Sequence, residues 1–314
     1  KNGQFVYAPE RTDVLGHTGM LGDKILVNGT YAPYAEVPAK QVRLRIVNAS
    51  NARRYNFAFE DNRAFQQIAS DGGLLAQPVE RSHLLLAPGE RAEIVVDLTG
   101  MTNRLTLMSR PVIEEGTVFR FVKTILRSSR DENQMFKLLE LRPQPTQMVA
   151  TPLPQKLNNI ERLSASESVR TRTFLLEDAD QTINNKRMDH MRVDEIMRAG
   201  DIETWEINNV SGSYHPFHIH GLQFQVLTRN GKAPDQHEQG WKDTVLVANG
   251  EIVRVIFRVP QYTDPHLPFM FHCHILEHED MGMMGQFVIV GQDTKDTDIY
   301  IKGGHVIDGE MHAH

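Results

Sequence analysis

Short runs of β-branched and aromatic residues, many alternating with polar ones, recur from one end of the 314-residue chain to the other. Phe65-Gln66-Gln67-Ile68, Ile94-Val95-Val96-Asp97-Leu98, Phe224-Gln225-Val226-Leu227 and Val255-Ile256-Phe257-Arg258-Val259 are such runs, and Gly, Pro, Asn and Asp fall between them. A period of two puts one set of side chains on each face of a strand. Many short strands separated by frequent turn residues indicate a β-sandwich or barrel, so the expected fold class is all-β.

The runs also repeat at an offset of about 160 residues, the size of one domain. Ile46-Val47-Asn48-Ala49-Ser50 is echoed by Ile207-Asn208-Asn209-Val210-Ser211, and Gly89-Glu90 by Gly250-Glu251. The run that ends at Asp71-Gly72 is echoed by one that ends at Asn230-Gly231. Two Greek-key β-sandwich domains are expected, one over residues 1–128 and one over 169–314, the latter with a C-terminal tail. Residues 129–168 carry Pro143, Pro145, Pro152 and Pro154 with little periodicity, which reads as an ordered linker.

The length agrees with about two domains. A formal net charge of −6 with no basic stripe argues against nucleic acid as a partner. No apolar run approaches the ~18 residues of a membrane span. A single cysteine rules out an internal disulfide and leaves the redox compartment unread. The chain opens at Lys1-Asn2-Gly3-Gln4 with neither a methionine nor a leader sequence, so a processed or truncated chain is expected.

That one cysteine changes the picture. It lies in His272-Cys273-His274-Ile275-Leu276-Glu277-His278-Glu279-Asp280-Met281-Gly282-Met283. A thiolate, then an imidazole, then a thioether at this spacing suit a trigonal copper site with one Cys, two His and a weak axial Met. A second imidazole is available from His215-Pro216-Phe217-His218-Ile219-His220-Gly221. Strand alternation puts His272 and His274 on one face and Cys273 on the other; His218 and His220 share a face, with His215 set apart by Pro216. The ligands sort into a mononuclear set, Cys273, His215, His278 and Met283, and half of a larger set, His218, His220, His272 and His274. A lone His-x-His is often only a solvated strand face; here there are two, one flanking the cysteine. Zinc is the competing metal, but structural zinc prefers several thiolates or a closed tetrahedral set, so copper is expected. Subtracting 161 from His215, His218 and His220 lands on Arg54, Phe57 and Phe59, so the first sandwich is expected to be metal-free.

His-Pro-Phe-His-Ile-His-Gly and His-Cys-His-x3-His-x4-Met resemble the two C-terminal copper motifs of the multicopper oxidases, which include laccases, bilirubin oxidases and bacterial cuprous oxidases. Gly22-Asp23-Lys24-Ile25-Leu26-Val27-Asn28-Gly29 and Leu86-Ala87-Pro88-Gly89-Glu90-Arg91 are similar to the copper-free middle domain of three-domain members. Gly240-Trp241-Lys242-Asp243-Thr244-Val245 resembles a segment of their last domain. The resemblance implies two cupredoxin domains and a type 1 copper held by His215, Cys273, His278 and Met283. It further implies a type 2 copper on His218 and a type 3 pair on His220, His272 and His274, with electrons passing through Cys273 to its two neighbours. The implied partners are a small-molecule reductant, either a phenol, a related aromatic or Cu(I), and dioxygen, which is reduced to water. Glu279 matches a position that relays protons to the cluster in similar enzymes; an exposed loop acid is the competing reading.

A complete cluster in this family needs eight histidines, four of them from a first domain. The other histidines here are His17, His83, His190, His237, His266, His305, His312 and His314, and only the terminal pair forms a His-x-His. An N-terminal cupredoxin is therefore expected to be missing, and the chain alone is expected to be inactive as an oxidase. A non-enzymatic blue-copper electron carrier and a copper-free structural relative are the competing classes. Met188, Met191, Met197, Met281 and Met284, with His190, could make a further soft site for Cu(I) or simply pack. Similar bacterial enzymes are often exported, so the resemblance points to the periplasm or cell envelope.

Overall fold

The computed structural model describes residues 19–112, 134–147, 151–177 and 181–301, together with the backbone of 12–13 and 16–17. The C-terminal histidines His305, His312 and His314 lie outside the described residues. Two two-residue ribbons, Thr12–Asp13 with Gly16–His17 and Leu26–Val27 with Thr30–Tyr31, precede the first sandwich. That sandwich is built from β1 (Tyr34–Pro38), β2 (Gln41–Val47), β3 (Tyr55–Phe59), β4 (Phe65–Ser70), β5 (Gly73–Arg81), β6 (Leu84–Leu86), β7 (Arg91–Asp97), β8 (Leu105–Arg110) and β9 (Phe136–Gln144). One sheet runs β6-β3-β8-β9-β1 and the other β2-β7-β4-β5.

The second sandwich comprises β10 (Arg170–Glu177), β11 (Thr182–Ile183), β12 (Glu195–Arg198), β13 (Ile202–Asn209), β14 (His215–Ile219), β15 (Gln225–Arg229), β16 (Thr244–Val247), β17 (Ile252–Arg258), β18 (Asp264–Cys273) and β19 (Met284–Val290). Its sheets run β11-β10-β13-β17-β15 and β12-β19-β18-β14-β16. A short helix α1 (Leu276–Asp280) follows β18. The all-β expectation is met. Residues 136–144 correct the expected linker: Phe136-Lys137-Leu138-Leu139-Glu140-Leu141 is strand β9, antiparallel to β8 and parallel to β1. Its apolar residues complete the first core, with Leu141 fully buried. Pro143 sits near the end of that strand, and its presence masks the strand pattern in the sequence.

The sequence repeat is a structural duplication. Asn48 Nδ2 donates to the carbonyls of Arg53 and Leu86, and its Oδ1 accepts from Ser50 N–H. Asn209 makes the same three bonds, to the carbonyls of Ser213 and Val247 and from Ser211 N–H. Glu90 accepts from Ala87 N–H at 2.8 Å, and Glu251 from Ala248 N–H at 2.8 Å. Each buried asparagine thus ties a strand end to the corner that follows it, satisfying backbone groups that water cannot reach.

The second core is organised around fully buried Trp205, with the rings of Phe174, Phe257 and Phe271 at 4.4, 5.4 and 5.4 Å. Phe217, Ile219, Phe271 and Cys273 belong to this core, and Phe217 pairs with Cys273 across β14 and β18. His218 and His272, the pair one step along, point to the opposite face. One strand pair therefore presents a thiol inward and two imidazoles outward.

Candidate metal centre

On the inward side, at the end of the core, three side chains converge. His215 Nδ1 lies 3.4 Å from Cys273 Sγ, Cys273 Sγ 3.5 Å from His278 Nδ1, and the two imidazole nitrogens 3.3 Å apart. A point equidistant from these three atoms lies about 2 Å from each, the range in which imidazole and thiolate bind a first-row metal. All three residues are fully buried. His215 starts β14, Cys273 ends β18, and His278 comes from α1, so sheet pairing and one helical turn close the triangle. Met283 is fully buried; its N–H donates to the His278 carbonyl (2.9 Å) and its carbonyl accepts from Cys273 N–H (3.1 Å). The loop between α1 and β19 is thereby anchored to both neighbouring members of the set.

The duplicated corner also orients His215. Ser211 Oγ donates to Asn209 Oδ1 at 2.6 Å and lies 2.8 Å from His215 Nε2. With its one hydrogen directed at an acceptor, the hydroxyl accepts from Nε2–H and leaves the Nδ1 lone pair facing the thiol. In the first sandwich the position equivalent to His215 holds Arg54, whose guanidinium lies 3.6 Å over the ring of Tyr214, the residue before His215. The equivalents of His218 and His220, Phe57 and Phe59, are buried in the first core.

On the outward side His218, His220 and His272 form a second group, with ligand atoms within 4.8 Å of one another. His220 Nε2 and His272 Nε2 are 3.0 Å apart. His218 Nδ1–H donates to the Asp243 carbonyl (2.8 Å) beside Thr244 Oγ1 (3.0 Å), and His272 Nδ1–H donates to the Cys273 carbonyl (3.0 Å). Both rings therefore offer Nε2. Burial pushes His218 down to about 4, although the Asp243 carboxylate opposes it, and pushes His272 down to about 3. Burial and the neighbouring His274 lower His220 as well. All three are neutral at pH 7, the form that binds a metal.

His274 stands beside this group rather than within it. Strand β18 ends at Cys273, so strict alternation does not carry through to His274; its N–H donates instead to the Pro216 carbonyl at 2.7 Å. Its ring centre is 5.5 Å from that of His272 and 5.8 Å from that of His218. Glu279 Oε2 lies 3.3 Å from His272 Nδ1, and burial, reinforced by Asp280, pushes its carboxyl up. Of the methionines and the histidine considered for a further soft site, Met197 is fully buried in the core, while Met191 and Met281 are exposed. Met188 N–H donates to the Gly282 carbonyl at 2.9 Å, which brings the 188 segment against the Met281–Met284 loop.

Ser211, Asn209, Asp243 and Thr244 carry roles that the sequence did not disclose. Asp243 and Thr244 lie in the Trp-Lys-Asp-Thr segment noted for its resemblance, but nothing in the spacing tied that segment to His218.

Comparison with known proteins follows the same division. Family models described as multicopper oxidase match residues 4–110 and 152–293. The McoA multicopper oxidase of the hyperthermophile Aquifex aeolicus superposes with a TM-score of 0.78 at 33% identity, covering 91% of this chain and 62% of that one. A multi-copper oxidase from Pediococcus acidilactici gives a TM-score of 0.75 at 34% identity, covering 88% and 54%. Curated relatives include the cell division protein FtsP of Xenorhabdus nematophila, 36% identical over 88% of this chain and 57% of its own length. The multicopper oxidase mco of Staphylococcus aureus is 34% identical over 86% of this chain and 53% of its own length. The chain thus spans a little over half the length of these curated relatives. Because the matches run through both sandwiches and across both histidine motifs, the chain belongs to the multicopper oxidase family, whose metal is copper.

Proposed function

We propose that this chain is the substrate-oxidising and half-cluster portion of a multicopper oxidase that couples one-electron oxidation of a phenol, a related aromatic or Cu(I) to reduction of dioxygen to water. The observation that carries the reading is the closed triangle of His215 Nδ1, Cys273 Sγ and His278 Nδ1. Those residues, with Met283 as the axial thioether, would hold the type 1 copper, and copper bound there supplies one-electron redox chemistry. Burial keeps water away from the thiolate, and Ser211 holds His215 in the ligating tautomer. Cys273 is bonded through the backbone to His272 and His274, so the path from thiolate to the outward histidines is covalent and short. His218, His220, His272 and His274 would supply half of a trinuclear site, the other half coming from a further cupredoxin domain. Glu279, raised by burial and next to His272, would hold and pass protons there. By the same resemblance the working compartment would be the periplasm or cell envelope.

A second reading, a blue-copper electron carrier, draws support from the inward triangle, which closes within this chain, while the outward group brings together three histidines among the described residues. The family also includes relatives named for cell division, FtsP, and those names set no substrate for this chain. Oxygen uptake separates the readings. The copper-loaded chain with a phenolic donor should lose its colour as the donor is oxidised but show no steady oxygen uptake. Uptake should appear once a domain carrying the remaining histidines is supplied. Steady uptake by the chain alone would overturn the half-cluster assignment. No uptake in the completed protein would favour the carrier.

A further inference from the structure

We propose that the copper-free sandwich is a mould for the histidine cluster. Its turn Gly89-Glu90-Arg91, together with Asp71, positions His274 by direct packing and His218 through Asp243. The inference rests on reading these two histidines as cluster ligands, while the placement itself is a property of this chain.

The grip falls on four consecutive residues, Trp241 to Thr244, that lead into β16. The Trp241 carbonyl accepts from Gly72 N–H at 2.7 Å and from Ser70 Oγ at 2.8 Å. Lys242 Nζ, buried, lies 2.9 Å from Asp71 Oδ2 and 3.2 Å from Glu90 Oε1. Arg91 forks onto both carboxylate oxygens of Asp243, at 2.5 and 2.7 Å, and donates further to the carbonyls of Gly89 and Asp71. Thr244 N–H donates to Asp71 Oδ2 at 3.4 Å. A bidentate guanidinium–carboxylate pair fixes a plane as well as a distance.

The last two gripped residues are the ones that hold His218. Its Nδ1 meets the Asp243 carbonyl and the Thr244 hydroxyl, and that hydroxyl donates to Asp243 Oδ1 at 3.0 Å. With the hydroxyl hydrogen so directed, both partners accept from Nδ1–H, which selects the tautomer that offers Nε2 to a metal.

Gly89 acts more directly. Its φ is +84°, and a Cβ there would fall 2.5 Å from His274 Cδ2 and 2.8 Å from Cγ, so the imidazole lies flat against the glycine backbone. Comparison with the duplicate copy shows that the turn geometry alone does not require this. Gly250, with φ +69°, has nothing within 4 Å of such a Cβ. Asn230 Oδ1 accepts from Ile252 N–H in the second copy, as Asp71 Oδ1 accepts from Arg91 N–H in the first. In the second sandwich the corner keeps Glu251, paired with Arg229 within the same sandwich, and has uncharged Asn230 and Ile252 where the first has Asp71 and Arg91. In the first, Asp71 and Glu90 reach across to Lys242, and Arg91 to Asp243. Replacing buried ion pairs by apolar residues is often neutral or stabilising, so the role proposed for this cluster is to fix register.

The test uses the metal-free, nitrogen-15-labelled full chain and reads the histidine ring nitrogens by long-range proton–nitrogen NMR. Visible colour after copper loading is recorded separately as the control for the inward triad. Arg91→Met should move the His218 ring from a single Nδ1–H tautomer to a mixture, leave the His215 and His278 signals in place, and keep the colour. Arg91→Lys should restore His218 in part. Gly89→Ala should displace the His274 signals and spare His218. Asp243→Asn retains the carbonyl that His218 uses and removes the charge that Arg91 holds, so it should reproduce Arg91→Met and decides the matter if that variant does not fold. Unchanged His218 signals in both Arg91→Met and Asp243→Asn, or unchanged His274 signals in Gly89→Ala, would overturn the proposal. Because no metal is present, these results are independent of whether copper binds.

Discussion

Three donor atoms about 3.4 Å apart at the end of a packed core define the chemistry at the scale of single residues. The axial donor is the weakest member of such a set, and removing it disfavours Cu(II) more than Cu(I). Met283→Leu should therefore leave copper bound and raise the reduction potential measured by redox titration; an unchanged potential would move the axial role to Met281 or Met284. Glu279 makes a different contribution, because protons are needed only where oxygen is reduced. In the protein completed with its remaining histidines, Glu279→Gln should slow reoxidation by dioxygen by about 10²-fold or more while the type 1 site is reduced at nearly the normal rate. Equal reoxidation rates in stopped flow would leave Glu279 as a structural acid on α1. The side chains that converge were legible in the sequence because one cysteine among paired histidines leaves few alternatives. Ser211 and Asp243 were not legible, because a serine four residues before a histidine, or an aspartate used through its backbone carbonyl, carries no spacing signature.

At the scale of elements, the recurring device is the asparagine corner, built once at Asn48 and again at Asn209. Each side chain makes two donor bonds and one or two acceptor bonds in a buried setting. Truncation to alanine leaves backbone carbonyls unsatisfied, at a cost of about 1–3 kcal/mol for each group. Asn48→Ala and Asn209→Ala should each lower stability by about 2–4 kcal/mol in urea titrations. Asn209→Ala alone should also shift the type 1 absorption, because Ser211 then loses the shorter of its two acceptors, Asn209 Oδ1 at 2.6 Å, and keeps only the Ser213 carbonyl at 3.1 Å. Matching spectra in the two variants would disconnect the corner from the metal site. This duplication was visible in the sequence as a repeat of about 160 residues. Strand β9 was not visible: Pro143 and the surrounding polar stretch read as linker, and its pairing with β8 and, across a hundred residues of chain, with β1 shows it to be sheet.

At the scale of the whole molecule, two sandwiches of one plan have taken different tasks. One has a leucine-rich core and a charged edge, and the other has that edge seated against the segment before β16 and against His274. Several imidazoles in the second sandwich are held neutral by burial, and this couples the fold to pH. His218 and His237 are lowered to about 4 and His272 to about 3, against 6.5 in an unfolded chain. Below pH 6.5 the unfolded chain takes up protons that the folded chain refuses, so the stability these groups contribute is complete above 6.5. It is lost as pH falls toward 4 and 3, by up to about 1.4 kcal/mol per pH unit for each histidine. The melting temperature of the metal-free chain should fall steadily from pH 7 to pH 5 in calorimetry. A flat profile would mean that these histidines are not held neutral.

The central claim is that Cys273, His215 and His278 form a type 1 copper site, and visible absorption after stoichiometric Cu(II) loading tests it most directly. The native chain should develop an intense band from the thiolate–copper bond, and Cys273→Ser, in which no other cysteine can substitute, should bind copper without that band. A native chain that takes up copper yet stays colourless, or a Cys273→Ser variant that keeps the colour, would contradict the account.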